Sequence, residues 1–251
     1  MNVVSIHRYP VKSLAGEALD RVALAPGRGI VNDRRYAFVP AAAGAPPPVP
    51  GWRPKASCVA LVRYTGPARL AARYDDASGV LTLSAAANEI GRGRPENDAD
   101  RVRLEAAAAR ELSAEVGIGV ALVGAGKDTM LTDVNAPFVS LVNVASVGAL
   151  SEALGLALDP LRFRANFYFT GAPAWAERGW AGKALRLGAA RAEIAQPIRR
   201  CAATEVNPAT AKRDAPVLRG LTDHFGHVEM GIYARVIAGG AVTPGAALQV
   251  D

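Results

Sequence analysis

The sequence predicts a mainly β protein with some α-helix, an α+β fold in which a β-barrel is decorated by helices. Many short segments alternate apolar and polar residues, and Gly, Pro and Asp separate them. Only two or three stretches have helical periodicity. Strands and helices show no βαβ alternation, and no GxGxxG or GxxxxGK motif occurs, so Rossmann and P-loop folds lack support.

The first half of the chain reads as short strands followed by one long helix. The helix is predicted over 99–116, with Asp98 or Asp100 as its N-cap and Gly117 at its end. Its predicted apolar face consists of Val102, Ala106, Ala109, Leu112 and Val116. Residues 40–54, rich in Pro, Ala and Gly, are predicted to form a mobile surface loop, and 85–100 a polar loop. Strands are predicted at 3–11, 19–26, 34–40, 57–64, 69–75, 80–85 and 118–124.

A domain boundary is predicted near residue 125, at "GAGKD", which divides the chain into 1–125 and 126–251. Beyond the boundary, helices are predicted at 145–155 and 216–225. Strands are predicted at 138–144, 162–171, 184–188, 191–198, 227–240 and 247–250.

The composition is that of a globular protein in a reducing compartment. Of 251 residues, 50% are hydrophobic and 21% are charged, and no run approaches the ~20 apolar residues of a membrane span. The start, "MNVVSIHRYPVKS", reads as a strand and not as a signal peptide, and two cysteines cannot form a disulfide framework. We therefore expect a cytoplasmic protein with no membrane partner.

The net charge of +6 favours an anionic partner of some kind. Nucleic acid is not expected, because the chain has no run of five or more Lys/Arg and no interleaving of basic with aromatic residues. Positive charge with a recognisable pattern occurs in two short basic stretches near the start and in one in the middle of the chain.

Strand alternation in "LRFRANFYF" places Arg162, Arg164 and Asn166 on one face, where guanidinium groups can bind a phosphate. The alternative is the solvated exterior of a barrel. "YPVKS" places Lys12 and Ser13 in a loop, either as an anion site or as a solvated strand end. In "NDRRYAF", Arg34 and Arg35 point in opposite directions, so at most one shares a pocket with Lys12.

Cys201 follows Arg199 and Arg200, whose charges favour the thiolate that attacks or binds a soft metal. The alternative is a small buried hydrophobe, which is also our interpretation of Cys58 in its apolar stretch. "HFGHVE" offers a weak zinc or iron site in His224, His227 and Glu229.

The order of these motifs resembles the MOSC proteins. The matching stretches are "YPVKS", "NDRRYAFV", "RFRANF", "PIRRCAATEVNPAT", "GIYARV" and "PGAALQV", which span nearly the whole chain. This family includes the mitochondrial amidoxime-reducing components and bacterial relatives that bind a molybdenum cofactor. The resemblance implies a MOSC-associated, β-barrel-like N-terminal domain over 1–125 and a MOSC β-barrel domain over 126–251.

The resemblance also implies roles for individual residues. Cys201 would ligate molybdenum and act in catalysis, while Lys12, Ser13 and Arg34 would hold the phosphate of the pterin. Arg164 and Asn166 would line the cofactor site. Asp133 and Asn135, in "TDVNAPF", are further candidates for cofactor binding.

Two functions follow from the resemblance. The first is a molybdenum-cofactor oxidoreductase that reduces small N-hydroxylated or N-oxide substrates by oxygen-atom transfer. Because the chain lacks cysteines for an iron–sulfur cluster, electrons would come from a separate ferredoxin- or cytochrome-type protein. The second is a persulfide carrier that uses Cys201 without redox catalysis. The sequence departs from its relatives at 40–54, which replaces a short polar motif, and at Asn207, where relatives often have Asp.

Overall fold

The computed structural model describes residues 1–42, 45–126 and 129–251. Within these ranges the chain forms fifteen strands and three α-helices, so the predicted α+β class is confirmed. The helices are α1 (Asp98–Val116), α2 (Val144–Leu154) and α3 (Val217–Phe225). The strands are β1 (Asn2–Arg8), β2 (Glu17–Ala18), β3 (Val22–Leu24), β4 (Tyr36–Pro40), β5 (Leu70–Asp75), β6 (Val80–Ala85), β7 (Asn88–Gly93), β8 (Val120–Gly124), β9 (Val139–Asn143), β10 (Phe167–Thr170), β11 (Ala184–Leu187), β12 (Ala190–Arg199), β13 (Glu229–Ala238), β14 (Gly240–Val242) and β15 (Leu248–Val250).

One curled sheet of eight strands organises the molecule, in the order β15-β11-β12-β13-β9-β10-β1-β2. A bridge between Asn2 and Ala247 brings the two sides of the curl together. β9 and β10 pair in parallel, and α2 connects them, so the expectation that the chain has no βαβ unit is wrong. The apolar core inside the curl includes Ile6, Leu141 and Phe169, none of which exceeds 1% exposure.

Outside the main sheet, β3 pairs with β14, and the other strands form smaller units around α1. β5, β6 and β7 form one antiparallel sheet, and β4 pairs with β8. β7 lies within the predicted polar loop at 85–100, where "NEIGRG" has too little apolar alternation to indicate a strand. The strand predicted at 57–64 is also absent: Lys55–Ser57 form a 3₁₀-helix, and turns follow. That apolar run is buried, and burial without alternation does not distinguish a strand from a packed turn.

The position of α1 matches the prediction, but its buried face does not. Asn97 caps the helix by accepting from the Asp100 amide, and left-handed Gly117 ends it. Of the predicted apolar face only Leu112 is fully buried, while Val102 is 58% exposed. The buried residues are Leu104, Ala107, Ala108 and Leu112. The alanine run at 106–109 gives little contrast between faces, and this explains the error.

The boundary predicted near residue 125 stays a prediction. β1 from the N-terminal segment pairs with β10 in the main sheet, so the two segments share one sheet. Residues 127 and 128 of "GAGKD", like residues 43 and 44 of the predicted mobile loop, lie outside the described ranges. Residues 45–54 form neither helix nor strand. Across the described ranges, no helix combines the length and apolar character that crossing a bilayer requires.

Gly231 in β13 provides a test of the sheet. Its φ is +77°, and a Cβ there would lie 2.3 Å from the Leu141 carbonyl oxygen of β9. We expect Gly231→Ala to lower the free energy of unfolding by about 2 kcal/mol or more, measured by urea denaturation. The matched control is Gly148→Ala in α2, where a Cβ meets no atom within 4 Å. The control should stabilise the protein by about 1 kcal/mol, and equal effects of the two variants would contradict this account.

Candidate functional site

A cavity of about 450 Å³ opens where loops from both halves of the chain meet the ends of β12 and β13. The loops after β1 and before β4 contribute from the N-terminal half. The loop before β9, the segment before β10 and the segment after β12 contribute from the C-terminal half. This convergence depends on β1 lying beside β10, which carries the first loop to the C-terminal residues.

Seven of the eight side chains that the sequence predicts for the site line this cavity. They are Lys12, Ser13, Arg34, Asp133, Arg164, Asn166 and Cys201. Asn135 is exposed in the same loop as Asp133 and does not line the cavity. Its role in cofactor binding stays a prediction, and its position does not support that role.

The segment that contains Arg162 and Arg164 lines the cavity, but the predicted strand alternation is not the reason. Residues 162–166 are not a strand: Pro160–Phe163 form a 3₁₀-helix capped by the side chain of Asp159, and β10 begins only at Phe167. Alternation therefore does not orient Arg162 and Arg164. A turn brings both to the cavity, and Arg162 is 5% exposed, which contradicts a solvated barrel exterior.

Three residues of the cavity have a left-handed backbone although they are not glycine. The φ angles are +73° at Ser13, +45° at Arg34 and +51° at Arg164. Such angles are uncommon for residues with a Cβ and are held in place by surrounding contacts, often at binding sites. The backbone is therefore shaped to bring these three side chains to one place.

Asn166 is committed to the protein itself. Its Oδ1 accepts from the Ser140 amide and hydroxyl at 3.1 and 2.9 Å, and its Nδ2 donates to Asp33 and to the His7 carbonyl at 3.0 and 3.2 Å. Both polar atoms of the amide are thus used twice. Asn166 fixes the cavity wall rather than offering a free group to a ligand.

Asp133 bridges two lysines at the cavity edge. Lys12 Nζ donates to its Oδ1 at 2.7 Å, and Lys55 Nζ donates to its Oδ2 at 3.1 Å. Burial alone would raise the pKa of Asp133, but the charges and hydrogen bonds of the two lysines outweigh it and lower the pKa from 3.8 to about 2. The solvated alternative for Lys12 is wrong, because this side chain is buried and also donates to the Leu131 carbonyl at 2.8 Å.

Cys201 lies between the end of β12 and the 3₁₀-helix Ala202–Glu205. It is half-buried and interacts with Lys55, whose ammonium group also reaches the cavity. Cys58 is 3% exposed and lies outside the lining, and burial raises the pKa of its thiol. The two cysteines thus differ as the sequence predicts. Lys55 was missed, and the only signal for it was a lysine that begins the apolar stretch "KASCVAL".

The electrostatics of the cavity favour an anion. Among the described residues, seven cationic side chains line it against two carboxylates, Asp133 and Glu229. Burial lowers the pKa of Arg164 to about 10 and also lowers the pKa of Arg200. The cations are Lys12, Arg34, Lys55, Arg162, Arg164, Arg199 and Arg200.

Arg200 carries a buried donor without a partner. Its Nε donates to the Met230 carbonyl at 2.8 Å and its Nη1 to the Phe163 carbonyl at 2.9 Å, whereas Nη2 has no hydrogen-bond partner in the described residues. An orphaned cationic N–H is costly unless a ligand accepts from it. Together with a soft thiol, this donor set fits a phosphorylated, thiolate-ligated metal cofactor.

The weak alternative metal site is not supported. In the described part of the chain, no group of three or more His, Cys, Asp or Glu side chains is placed to hold a metal ion. Glu229 instead pairs with Arg178 at 3.0 Å, and the amide of Glu229 donates to His227 Nδ1 at 3.2 Å.

A larger cavity of about 1030 Å³ lies between the start of α1 and the proline stretch at 47–50. Arg35 lines it and pairs with Glu96 at 2.8 Å, whereas Arg34 lines the smaller cavity with Lys12. Only one of the two arginines thus shares a cavity with Lys12, as predicted, but both precede β4, so strand alternation is not the cause. Neither cysteine reaches the larger cavity. The smaller cavity, which Cys201 lines, is therefore the candidate site.

Fold and site together define an α+β protein with a cationic, thiol-bearing cavity between its two segments. Residues 129–249 match the model of the MOSC domain. Residues 129–249, a little under half of the chain, are thus a region similar to MOSC domains. A comparison with curated proteins finds no match.

Solved structures with a similar fold include the YuaD protein from Bacillus subtilis, with 12% identity and a TM-score of 0.47 over 99% of this chain and 94% of that one. YiiM from Geobacillus stearothermophilus has 20% identity and a TM-score of 0.36, over 45% of this chain and 53% of YiiM. YiiM from Escherichia coli has 18% identity and a TM-score of 0.35 over the same shares. The match spans only about half the length of either YiiM protein.

The Asp133 bridge predicts a pH dependence of stability. Because the pKa of Asp133 in the fold, about 2, lies below the ordinary 3.8, its ionised form stabilises the protein above that ordinary value. This contribution is lost as the pH falls from 3.8 towards 2. We expect the free energy of unfolding to fall less steeply across this interval in Asp133→Asn than in the wild type, as measured by urea denaturation.

The effect should be modest, because the side chain of Asp133 is 42% exposed and solvent screens it. Lys12→Met removes one of the two ammonium groups and should flatten the same interval. If both variants keep the wild-type slope, the lysine bridge does not control this titration.

Proposed function

We propose that this protein is a molybdenum-cofactor-dependent oxidoreductase whose cofactor occupies the cavity with Cys201 as its protein ligand. The observation that carries the proposal is a half-buried thiol in a cavity lined by seven cations and two carboxylates. The MOSC domain family is known for binding this cofactor. A thiolate, an anionic pterin and a cationic wall are chemically complementary.

The residues of the chain divide between binding and ligation. Lys12, Ser13 and Arg34 would hold the phosphate of the pterin at the N-terminal side of the cavity. Arg164 and Arg200 would add charge and N–H donors along its length. Lys55 interacts with Cys201, and its ammonium group would add positive charge beside the ligated metal.

The proposed reaction removes an oxygen atom from a small N-hydroxylated or N-oxide substrate. When bound, the cofactor would supply the two-electron redox chemistry, and the protein supplies orientation and electrostatics. The substrate takes two electrons and two protons and releases water. The electrons would come from a separate ferredoxin- or cytochrome-type protein, since two cysteines cannot hold an iron–sulfur cluster.

A persulfide carrier is the second candidate, and one observation favours it. Cys201 is partly accessible and has the Lys55 ammonium beside it, which would stabilise an anionic persulfide without any metal. In this function sulfur would leave Cys201 for an acceptor, and the remaining cations would hold that acceptor.

The metal content of three proteins tests the proposal. Wild type, Cys201→Ser and Cys58→Ala are purified from a host that makes the molybdenum cofactor, and molybdenum per chain is measured. We expect about one atom per chain in the wild type and in Cys58→Ala, because a thiolate is a strong ligand for this soft centre. Cys201→Ser should lose most of it while keeping the wild-type circular dichroism spectrum.

Other results decide between the two functions. If the wild type carries no molybdenum from a competent host, the oxidoreductase proposal fails. Persulfide on Cys201, detected by mass spectrometry and absent from Cys201→Ser, would then support the carrier. If all three proteins carry equal molybdenum, Cys201 is not the ligand.

A further inference from the structure

Tyr9 carries two guanidinium groups on its ring. The Cζ atoms of Arg34 and Arg164 each lie 4.4 Å from the ring centroid. Tyr9 is 3% exposed, so both contacts are removed from bulk water, where cation–π attraction is strongest. The two arginines come from segments 130 residues apart in sequence. Arg34 Nη2 also donates to the Arg164 carbonyl, so the two segments are in direct contact.

The pair of guanidinium groups needs such an anchor. Two guanidinium groups held on one buried ring repel each other, and the backbone at both residues is left-handed. Asp33 is the carboxylate that pairs with Arg34, whereas Arg164 donates to the Leu14 carbonyl at 2.7 Å and has no ion pair in the described residues. The pair therefore keeps a net positive charge that the ring faces.

Tyr9 itself does not line the cavity, although both arginines do. Its amide donates to Asp33 Oδ1 at 2.8 Å, so the backbone of Tyr9 is tied to the same carboxylate that pairs with Arg34. Any effect of the ring on a ligand must therefore pass through the arginines.

We infer that Tyr9 is a positioning residue whose ring holds Arg34 and Arg164 as a fixed dicationic clamp for a phosphate group. The inference rests on the proposed function, in that it assigns the clamp to the anionic end of the ligand in the same cavity. The inference adds Tyr9 to the site. This residue lies behind Arg34 and Arg164, which line the cavity.

The test compares Tyr9→Phe, which keeps the ring, with Tyr9→Leu, which replaces it by an apolar side chain without a π face. Inorganic phosphate is titrated into the metal-free full-length chain by calorimetry at low salt. We expect Tyr9→Phe to bind phosphate like the wild type and Tyr9→Leu to bind about tenfold more weakly, as loss of two desolvated cation–π contacts implies. Far-UV circular dichroism checks that each variant is folded.

A second readout does not depend on a ligand. In ¹⁵N-arginine-labelled protein, the Nε–H resonances of Arg34 and Arg164 should carry ring-current shifts in the wild type and in Tyr9→Phe. Those shifts should vanish in Tyr9→Leu, and exchange of both protons with water should speed up. Assignment comes from Arg34→Lys and Arg164→Lys.

Three outcomes overturn the inference: no phosphate binding by the wild type, equal binding by wild type and Tyr9→Leu, or equal loss in Tyr9→Phe and Tyr9→Leu. Molybdenum retention separates this failure from that of the proposed function. If the wild type retains molybdenum and Tyr9→Leu retains as much, the clamp is wrong while the oxidoreductase proposal stands.

Discussion

The site depends on the hydrogen bonds that the buried carboxylate of Asp33 accepts. Asp33 is 1% exposed and joins three segments that are far apart in sequence: the Tyr9 amide, the Arg34 guanidinium and the Asn166 side chain. A buried carboxylate is tolerated only when its charge and lone pairs are satisfied, and removal of one partner leaves a costly charge behind. The loop after β1, the loop before β4 and the start of β10 are therefore held in one arrangement.

The described cations of the cavity outnumber the carboxylates that pair with them. Lys12, Arg34, Lys55 and Arg162 form ion pairs with Asp33, Asp133 or Asp214, whereas Arg164 and Arg200 donate to backbone carbonyls. Carbonyl dipoles stabilise a guanidinium or ammonium group but leave its net charge in place.

Part of the site was predictable from sequence because chemistry-bearing residues occur in short stretches with a recognisable order. Cys201, Lys12 and Arg34 were found from such stretches, and the cavity brings them together. The route to Arg162 and Arg164 was wrong, since a 3₁₀ turn and a left-handed residue replace the strand alternation. A single sequence contains no periodic signal for such a turn.

Tertiary packing decided the remaining differences. Lys55 reaches Asp133 and Cys201 across the cavity, a contact that no local pattern encodes. The buried face of α1 was missed because alanines give equal signals on several faces, and β7 because its sequence is polar. Strands of the main sheet could be predicted from the sequence where apolar and polar residues alternate, or where a short run of apolar residues is buried.

The pairing of β1 with β10 sets the order in which the molecule can assemble. Asn2 lies opposite Thr170, so the first strand waits for about two thirds of the chain to leave the ribosome before its partner exists. Until then its apolar residues, Val3 and Ile6, lack the core residues of the later strands, such as Leu141 and Phe169. Contacts of such long sequence separation slow folding and expose strand edges meanwhile. In a nascent chain of this protein, β1 can therefore pair only with the short β2, and its other edge stays open until β10 has been made.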